Sequence, residues 1–227
     1  MKDKPLSQEW LKIIACVTML IDHLGVALFP FDSLRIIGRI AFPIYCFLLA
    51  EGAAHTGNPE KYFLRLLIAM VLSEIPFDLL LGGRLTLCHQ NVLFTMVLGF
   101  LMLESFQKVR LLPVKLLIAV PFYILAEILH TDYGGQGILV ILLFGLAREY
   151  DFPTFAVTLI LAGISLVSPG YPVRILGLRV PIELFCVFAM IPISLYSGKK
   201  QTDSPWIQWG FYLFYPIHLA ILAMLSL

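Results

Sequence analysis

The stretch WLKIIACVTMLIDHLGVALF (10–29) decides the class of this chain. Its length matches what a helix needs to cross a hydrocarbon layer of roughly 30 Å. Lys12, Asp22 and His23 interrupt it. An Asp-His pair inside a membrane span is costly, because hydrocarbon solvates neither a charge nor a polar hydrogen, so the pair points to function. Eleven residues advance a helix by ~1100°, three turns plus ~20°, which puts Lys12 and His23 on one face about 16 Å apart. Lysine at the water end can meet an anionic headgroup. Histidine, with an ordinary pKa near 6.5, can handle a proton deeper in. One helix can thus hold both ends of a long donor such as an acyl-CoA. The plainer alternative makes Lys12 a membrane-surface anchor and His23 a packing residue.

Composition agrees with that span. The 227 residues are 59% hydrophobic and only 14% charged, with mean hydropathy +0.89. The apolar runs are continuous rather than alternating, which selects helices over a β-barrel. The expected fold class is all-α, a polytopic membrane helical bundle forming one domain over 1–227, without a soluble module or repeat. Nine transmembrane helices are expected, within a range of eight to ten, at 9–30, 35–54, 62–82, 91–106, 112–130, 135–149, 153–168, 174–196 and 207–226. The sixth and seventh are short and can instead pair as a re-entrant hairpin. No small-residue cleavage site follows the first run, so it is expected to be a retained helix rather than a cleaved signal.

Basic residues orient the bundle. Eleven of the sixteen lysines and arginines fall at span ends on the side of the amino terminus, and five (Arg35, Arg39, Arg84, Arg174, Arg179) on the other. This predicts a cytoplasmic amino terminus. The basic residues are scattered over loop ends, which excludes a nucleic-acid surface and leaves membrane lipids as their ordinary partners.

Threaded through that topology, most buried polar residues land in the outer half. Asp22 and His23 can meet Arg35 and Arg39. Glu74 and Asp78 fall near Asn91 and Thr95, while Glu127, His130, Asp132, Glu183 and His218 lie at similar depth. Together they predict a polar cavity opening outward, with carboxylates, histidines and an arginine able to run acid-base chemistry. Acyl transfer suits it, with His23 as general base and a carboxylate orienting the imidazole. Asp22 is ~100° around the helix from His23, so it pairs better with Arg39, leaving Glu74, Asp78 or Glu183 to orient His23. The same set also suits proton-coupled transport. On the inner side, Lys12, Lys61, Arg65, Lys108, Arg110 and Lys115 form a bed for donor phosphates, although anchoring explains most such residues. Glu51 and His55 either help bind the donor or are simply solvated.

Several motifs keep two readings. Gly38 and Pro43 in GRIAFP allow close packing and a kink. Pro76, between Glu74 and Asp78, shapes an acceptor site or ends its helix. TDYGGQG (131–137) is a glycine-rich outer turn, and Pro216 can open the helix near His218. Cys16, Cys46, Cys88 and Cys186 show no redox or metal spacing, and neither disulfide nor metal is expected.

The runs LKIIACVTMLIDHLG (11–25), LRIIGRIAFPIYCFLLAEGAAHT (34–56), YFLRLLIAMVLSEIPFDL (62–79), NVLFTMVLG (91–99) and FYLFYPIHL (211–219), in this order, resemble the TraX family, named for a conjugative-pilin N-acetylase. That family is similar to a wider superfamily of integral membrane acyltransferases acting on surface polysaccharides and heparan glucosaminides. The resemblance implies a bacterial plasma-membrane enzyme, a cytoplasmic acetyl-CoA donor, an extracytoplasmic acceptor bearing an amine or hydroxyl, and an essential histidine. A basic residue, ten intervening positions and a histidine form the superfamily's first signature, which Lys12 and His23 fit. Its second signature, two arginines three apart, is absent: Arg35 and Arg39, like Lys61 and Arg65, are four apart. The reading is therefore a membrane acetyltransferase with His23, Asp22 and Arg39 catalytic. Lys12, Lys61, Arg65, Glu51 and His55 are expected at the donor, and Glu74, Asp78, Asn91, Thr95, Glu183 and His218 at the acceptor. The alternatives are a small proton-coupled transporter and a noncatalytic assembly factor.

Overall fold

A computed structural model describes residues 4–86, 88–168, 170–175, 177–202 and 204–226; Lys2, one of the basic residues used for orientation, lies outside them. Helix α1 (Gln8–Ala27) starts where the Ser7 hydroxyl accepts the Trp10 amide, a side-chain cap for an otherwise orphaned donor. It runs unbroken through Asp22 and His23, so Lys12 and His23 share one straight scaffold.

The second expected span divides. Helix α2 (Asp32–Gly38) and helix α3 (Ala41–His55) are separated at Arg39–Ile40. Pro43 supplies the reason: its ring would strike the carbonyl four residues back, that of Arg39, if one helix ran through, whereas the first turn of α3 accommodates it. Pro76 behaves in the opposite way. Helix α4 (Pro59–Gly82) continues past it to Gly83, which closes the helix in the left-handed region at φ 63°. Pro76 therefore does not end its helix. Helices α5 (Val92–Phe106), α6 (Leu112–Ile128), α7 (Gly134–Glu149) and α8 (Thr154–Val167) follow the expected fourth to seventh spans within a few residues.

The eighth span, 174–196, is corrected. It begins inside an antiparallel hairpin, β1 (Pro172–Ile175) with β2 (Leu178–Pro181), which turns at Gly177 with φ 84°. A 3-10 helix, Ile182–Ala189, and the short helix α9 (Met190–Ser194) complete it. Prolines at the outer ends of both strands and the glycine turn break the helix that an apolar run alone suggested. Helix α10 (Pro205–Ser226) ends the described chain and carries Pro216 without interruption.

Among the described residues, three helical stretches are long and apolar enough to cross a membrane: Gln8–Ala27, Asp32–His55 (α2 and α3 together) and Pro205–Ser226. The remaining helices are shorter or carry more charge. Helices α3 and α7 expose none of their large apolar side chains and sit at the centre. Peripheral faces of α6, α8 and α10 expose Leu117, Phe155, Leu159, Trp206 and Met224, an apolar surface that water would not tolerate and lipid does. Helix α10 packs chiefly on α4 and also on α1, while α1 packs on α2 and α3. This arrangement encloses a space between α1, α3, α4 and α10.

Candidate functional site

That space is a cavity of about 560 Å³ running along α1 from Gln8 to Val26. Lys12, Arg65 and Lys200 line one end; Asp22, His23, Arg35, Arg39, Asp132 and Tyr133 line the other. Between them the walls are aromatic, with Tyr45, Tyr62, Tyr212 and Tyr215. Because α1 is unbroken, its eleven-residue step from Lys12 to His23 spans about 16 Å of cavity.

At the histidine end, His23 Nδ1 lies 2.7 Å from His218 Nε2, and His218 Nδ1 lies 2.7 Å from the Phe214 carbonyl oxygen. The two imidazoles lie nearly parallel, 25° apart, with centroids at 5.0 Å. His23 is half-buried on the cavity wall and His218 is buried behind it. None of Glu74, Asp78 and Glu183, the carboxylates expected to orient His23, bonds to it. The bridging residue comes instead from α10.

Asp22 turns away from His23, as the ~100° step requires. Arg39 Nη2 lies 2.8 Å from both of its oxygens and Arg35 Nη1 lies 2.5 Å from Oδ2. The other end of the Arg39 fork, Nη1, donates to Glu183 Oε1 at 3.0 Å. The result is a quartet of alternating charges, Arg35–Asp22–Arg39–Glu183, with no net charge and with Arg39 only 7% exposed. Satisfied pairing of this kind makes buried charge tolerable. The approach depends on Gly38, where a Cβ would fall 2.1 Å from Asp22 Oδ1 and 2.2 Å from Asp22 Cβ. The expected Asp22–Arg39 pair is therefore present, with Arg35 and Glu183 completing it.

Tyr133 caps α7 at φ 64°, a costly conformation for a side chain of this size. Its ring stacks on Phe42 at 3.7 Å, with the Arg39 guanidinium 5.9 Å from its centroid, and this packing holds it on the cavity wall. The glycine-rich turn thus presents Asp132 and Tyr133. Outside the helices, His89 Nε2 lies 3.8 Å from Asp132 Oδ1, and that carboxylate raises the His89 pKa above its usual value.

Asn91 and Thr95, expected at the acceptor, are fully buried and engaged elsewhere. The Asn91 side chain donates to Glu74 Oε2 and, at 3.0 Å, to the Met70 carbonyl. Thr95 donates its hydroxyl proton to the Asp132 carbonyl and shares a 2.9 Å hydrogen bond with the Thr131 hydroxyl. Asp78 accepts the Thr86 amide at 2.8 Å. These three residues, with Glu74, tie α4 and α5 to the neighbouring turns and do not line the cavity; one Glu74 oxygen stays buried without a hydrogen bond.

At the basic end, Lys12 Nζ sits 5.2 Å from the centre of the Phe211 ring. The Arg65 guanidinium lies 5.8 Å from the Tyr62 ring and 5.7 Å from the Tyr212 ring, with Nη1 on Gln208 and a buried Nε that has no partner. Glu51 and His55 line this end and share Arg148, at 2.8 and 3.2 Å. Lys61 is exposed on the first turn of α4, off the cavity. Lys115 is also lost to the proposed phosphate bed, since it is buried against Glu149 as an ion pair. Sequence reasoning missed Lys200. The segment carrying it is fastened to α1, where Glu9 accepts the amides of Gln201 and Thr202. It missed the four tyrosines as well, because in apolar helices they read as core. No cluster of three or more metal-ligating side chains occurs among the described residues.

The sequence matches the family described as TraX protein over residues 7–226. A Dichelobacter nodosus protein named "Probable fimbrial assembly protein FimC, serogroup H1" is 32% identical, the alignment covering 93% of this chain and 92% of that one. An uncharacterized protein of Rickettsia prowazekii (strain Madrid E) is 35% identical over 43% of this chain and 37% of its own. No solved structure matches. With the family matched from the first turn of α1 to the last of α10, this membrane protein belongs to the TraX family.

Proposed function

We propose that this chain is a multi-pass acyltransferase of the bacterial plasma membrane, with its amino terminus in the cytoplasm. It takes an acetyl group from cytoplasmic acetyl-CoA and passes it to an acceptor on the other side. The observation that carries this is the single cavity joining a cationic end, at Lys12 and Arg65, to a histidine about 16 Å further along α1. Cations at the mouth suit the donor's phosphates. The aromatic walls suit its uncharged arm, which brings the thioester to His23. There His23 takes a proton from the acceptor's amine or hydroxyl as that atom attacks the thioester carbonyl. The carbon–sulfur bond then breaks, and the proton leaves with the thiol of CoA. Arg35 and Arg39, held within the neutral quartet at this end of the cavity, offer fixed guanidinium dipoles rather than free charge to the carbonyl oxygen as it becomes an oxyanion. The fimbrial assembly name of the relative favours a pilus or fimbrial subunit as acceptor.

The test is acetyl-CoA binding and thioester loss by the purified protein in nanodiscs, comparing wild type with Lys12→Ala and His23→Ala. The expected result is saturable binding weakened by Lys12→Ala, and turnover lowered about 10²–10⁴-fold by His23→Ala. Folded protein that binds nothing at millimolar acetyl-CoA would overturn the reading, and proton-driven flux in proteoliposomes would then be measured.

A further inference from the structure

The contact between His23 and His218 fixes more than proximity, because a carbonyl oxygen can only accept a hydrogen bond. The 2.7 Å contact to the Phe214 carbonyl therefore requires the proton of His218 to sit on Nδ1. His218 is buried, and no carboxylate among the described residues forms an ion pair with it, so Nε2 carries a lone pair and accepts. Its neighbour at 2.7 Å, His23 Nδ1, must then be the donor. In a neutral imidazole only one nitrogen bears hydrogen, so Nε2 of His23 is left as the base.

We propose that His218 is a positioning residue that locks His23 in the tautomer protonated on Nδ1, with Nε2 unprotonated on the cavity side. The role is the one a buried carboxylate commonly takes in hydrolases, filled here by a neutral imidazole anchored on the backbone of α10. The substitution has a physical reason. The carboxylate next to it in sequence, Asp22, is held by Arg35 and Arg39 and cannot turn to His23. A neutral partner gives direction without adding a second negative charge beside the Arg–Asp–Arg–Glu quartet. It also ties the base to α10, so that α1 and α10 must be packed together before His23 is poised.

The mechanistic meaning of this lock rests on the acyltransferase reading, but the lock itself is tested apart from it. Nitrogen-15 spectra of histidine-labelled protein in liposomes at neutral pH distinguish protonated from bare ring nitrogens, and His23 is assigned by its loss in His23→Asn. The expected spectrum has His23 protonated on Nδ1 and bare on Nε2, and His218→Leu should convert His23 to a mixture or to the opposite tautomer. His218→Gln, whose amide can accept from His23 and donate to the Phe214 carbonyl, should restore the original form. If activity is present, His218→Leu should lower kcat by about 10²–10⁴-fold with KM for acetyl-CoA unchanged, and His218→Gln should recover most of it. Wild-type His23 protonated on Nε2, or a tautomer indifferent to His218→Leu in protein that still folds, overturns the proposal whatever the protein acylates.

Discussion

Gly38→Ala is the sharpest probe of the quartet, because it adds one methyl group where the structure leaves no room. The new Cβ would lie 2.1, 2.2 and 2.4 Å from Asp22 Oδ1, Cβ and Cγ. Moving the carboxylate aside relieves only part of this, since Asp22 Cβ is fixed to α1. The helices must therefore separate by roughly 1 Å, and overpacking of this kind costs about 1–3 kcal/mol. Separation also stretches the 2.5–2.8 Å contacts from Asp22 to Arg35 and Arg39. Losing a buried pair outright costs about 3–5 kcal/mol, and a partial loss adds a fraction of that. The expected destabilisation is about 3 kcal/mol. The control is Gly163→Ala on α8, where a Cβ meets nothing within 4 Å; helix propensity alone predicts up to about 1 kcal/mol of stabilisation there. Equilibrium unfolding in mixed micelles, by titration with sodium dodecyl sulfate, measures both. If the two alanines move the midpoint alike, the close approach of α2 to Asp22 is not what holds this end together.

The Lys115–Glu149 pair should be asymmetric: Lys115→Met keeps the buried volume and removes the charge for under about 1 kcal/mol, whereas Glu149→Gln strands a buried ammonium and costs about 2 kcal/mol, and equal unfolding midpoints would refute this. His89 has a pKa raised mainly by the side chain of Asp132, so the stability it adds should be full below its ordinary pKa near 6.5 and fade as pH rises through its folded value. Thermal unfolding of wild type and His89→Gln from pH 5.5 to 8.5 checks this, a gap that widens with pH being the contrary result. Cys88 is the exposed cysteine of the four, in the loop between α4 and α5, while Cys16, Cys46 and Cys186 are buried. A membrane-impermeant maleimide should therefore label Cys88 alone, from the side opposite the cytoplasm, and labelling only in inverted vesicles would reverse the proposed orientation.

Much of the architecture is legible in the residues themselves, since apolar runs between charged or glycine- and proline-rich joints mark α1 and α4 to α8 closely. Hydropathy fails at 174–196 because Ile175, Leu178 and Val180 are as apolar in strands as in a helix, and only the prolines and Gly177 distinguish the two. The Lys12–His23 spacing could be found because it depends on local helical geometry, and the Asp22–Arg39 pair because a short connection returns the chain past the end of α1 to the same depth. The partner of His23 could not, since His218 lies 195 residues away and reaches it only through tertiary packing. Glu74 and Asn91 look like site residues for the same reason that they stabilise the fold. A buried polar residue in an apolar chain must bond to something, and sequence does not say whether that is a ligand or a neighbouring loop.

The quartet also imposes an order on biogenesis. Arg35 and Arg39 emerge from the ribosome soon after Asp22, but Glu183 follows Arg39 by 144 residues. Until it arrives, two guanidinium groups share one carboxylate, and the nascent α1–α2 hairpin carries an unmatched positive charge at membrane depth. Arrival of the 3-10 helix then neutralises the charge, so completion of the late segment sets when the early one can settle.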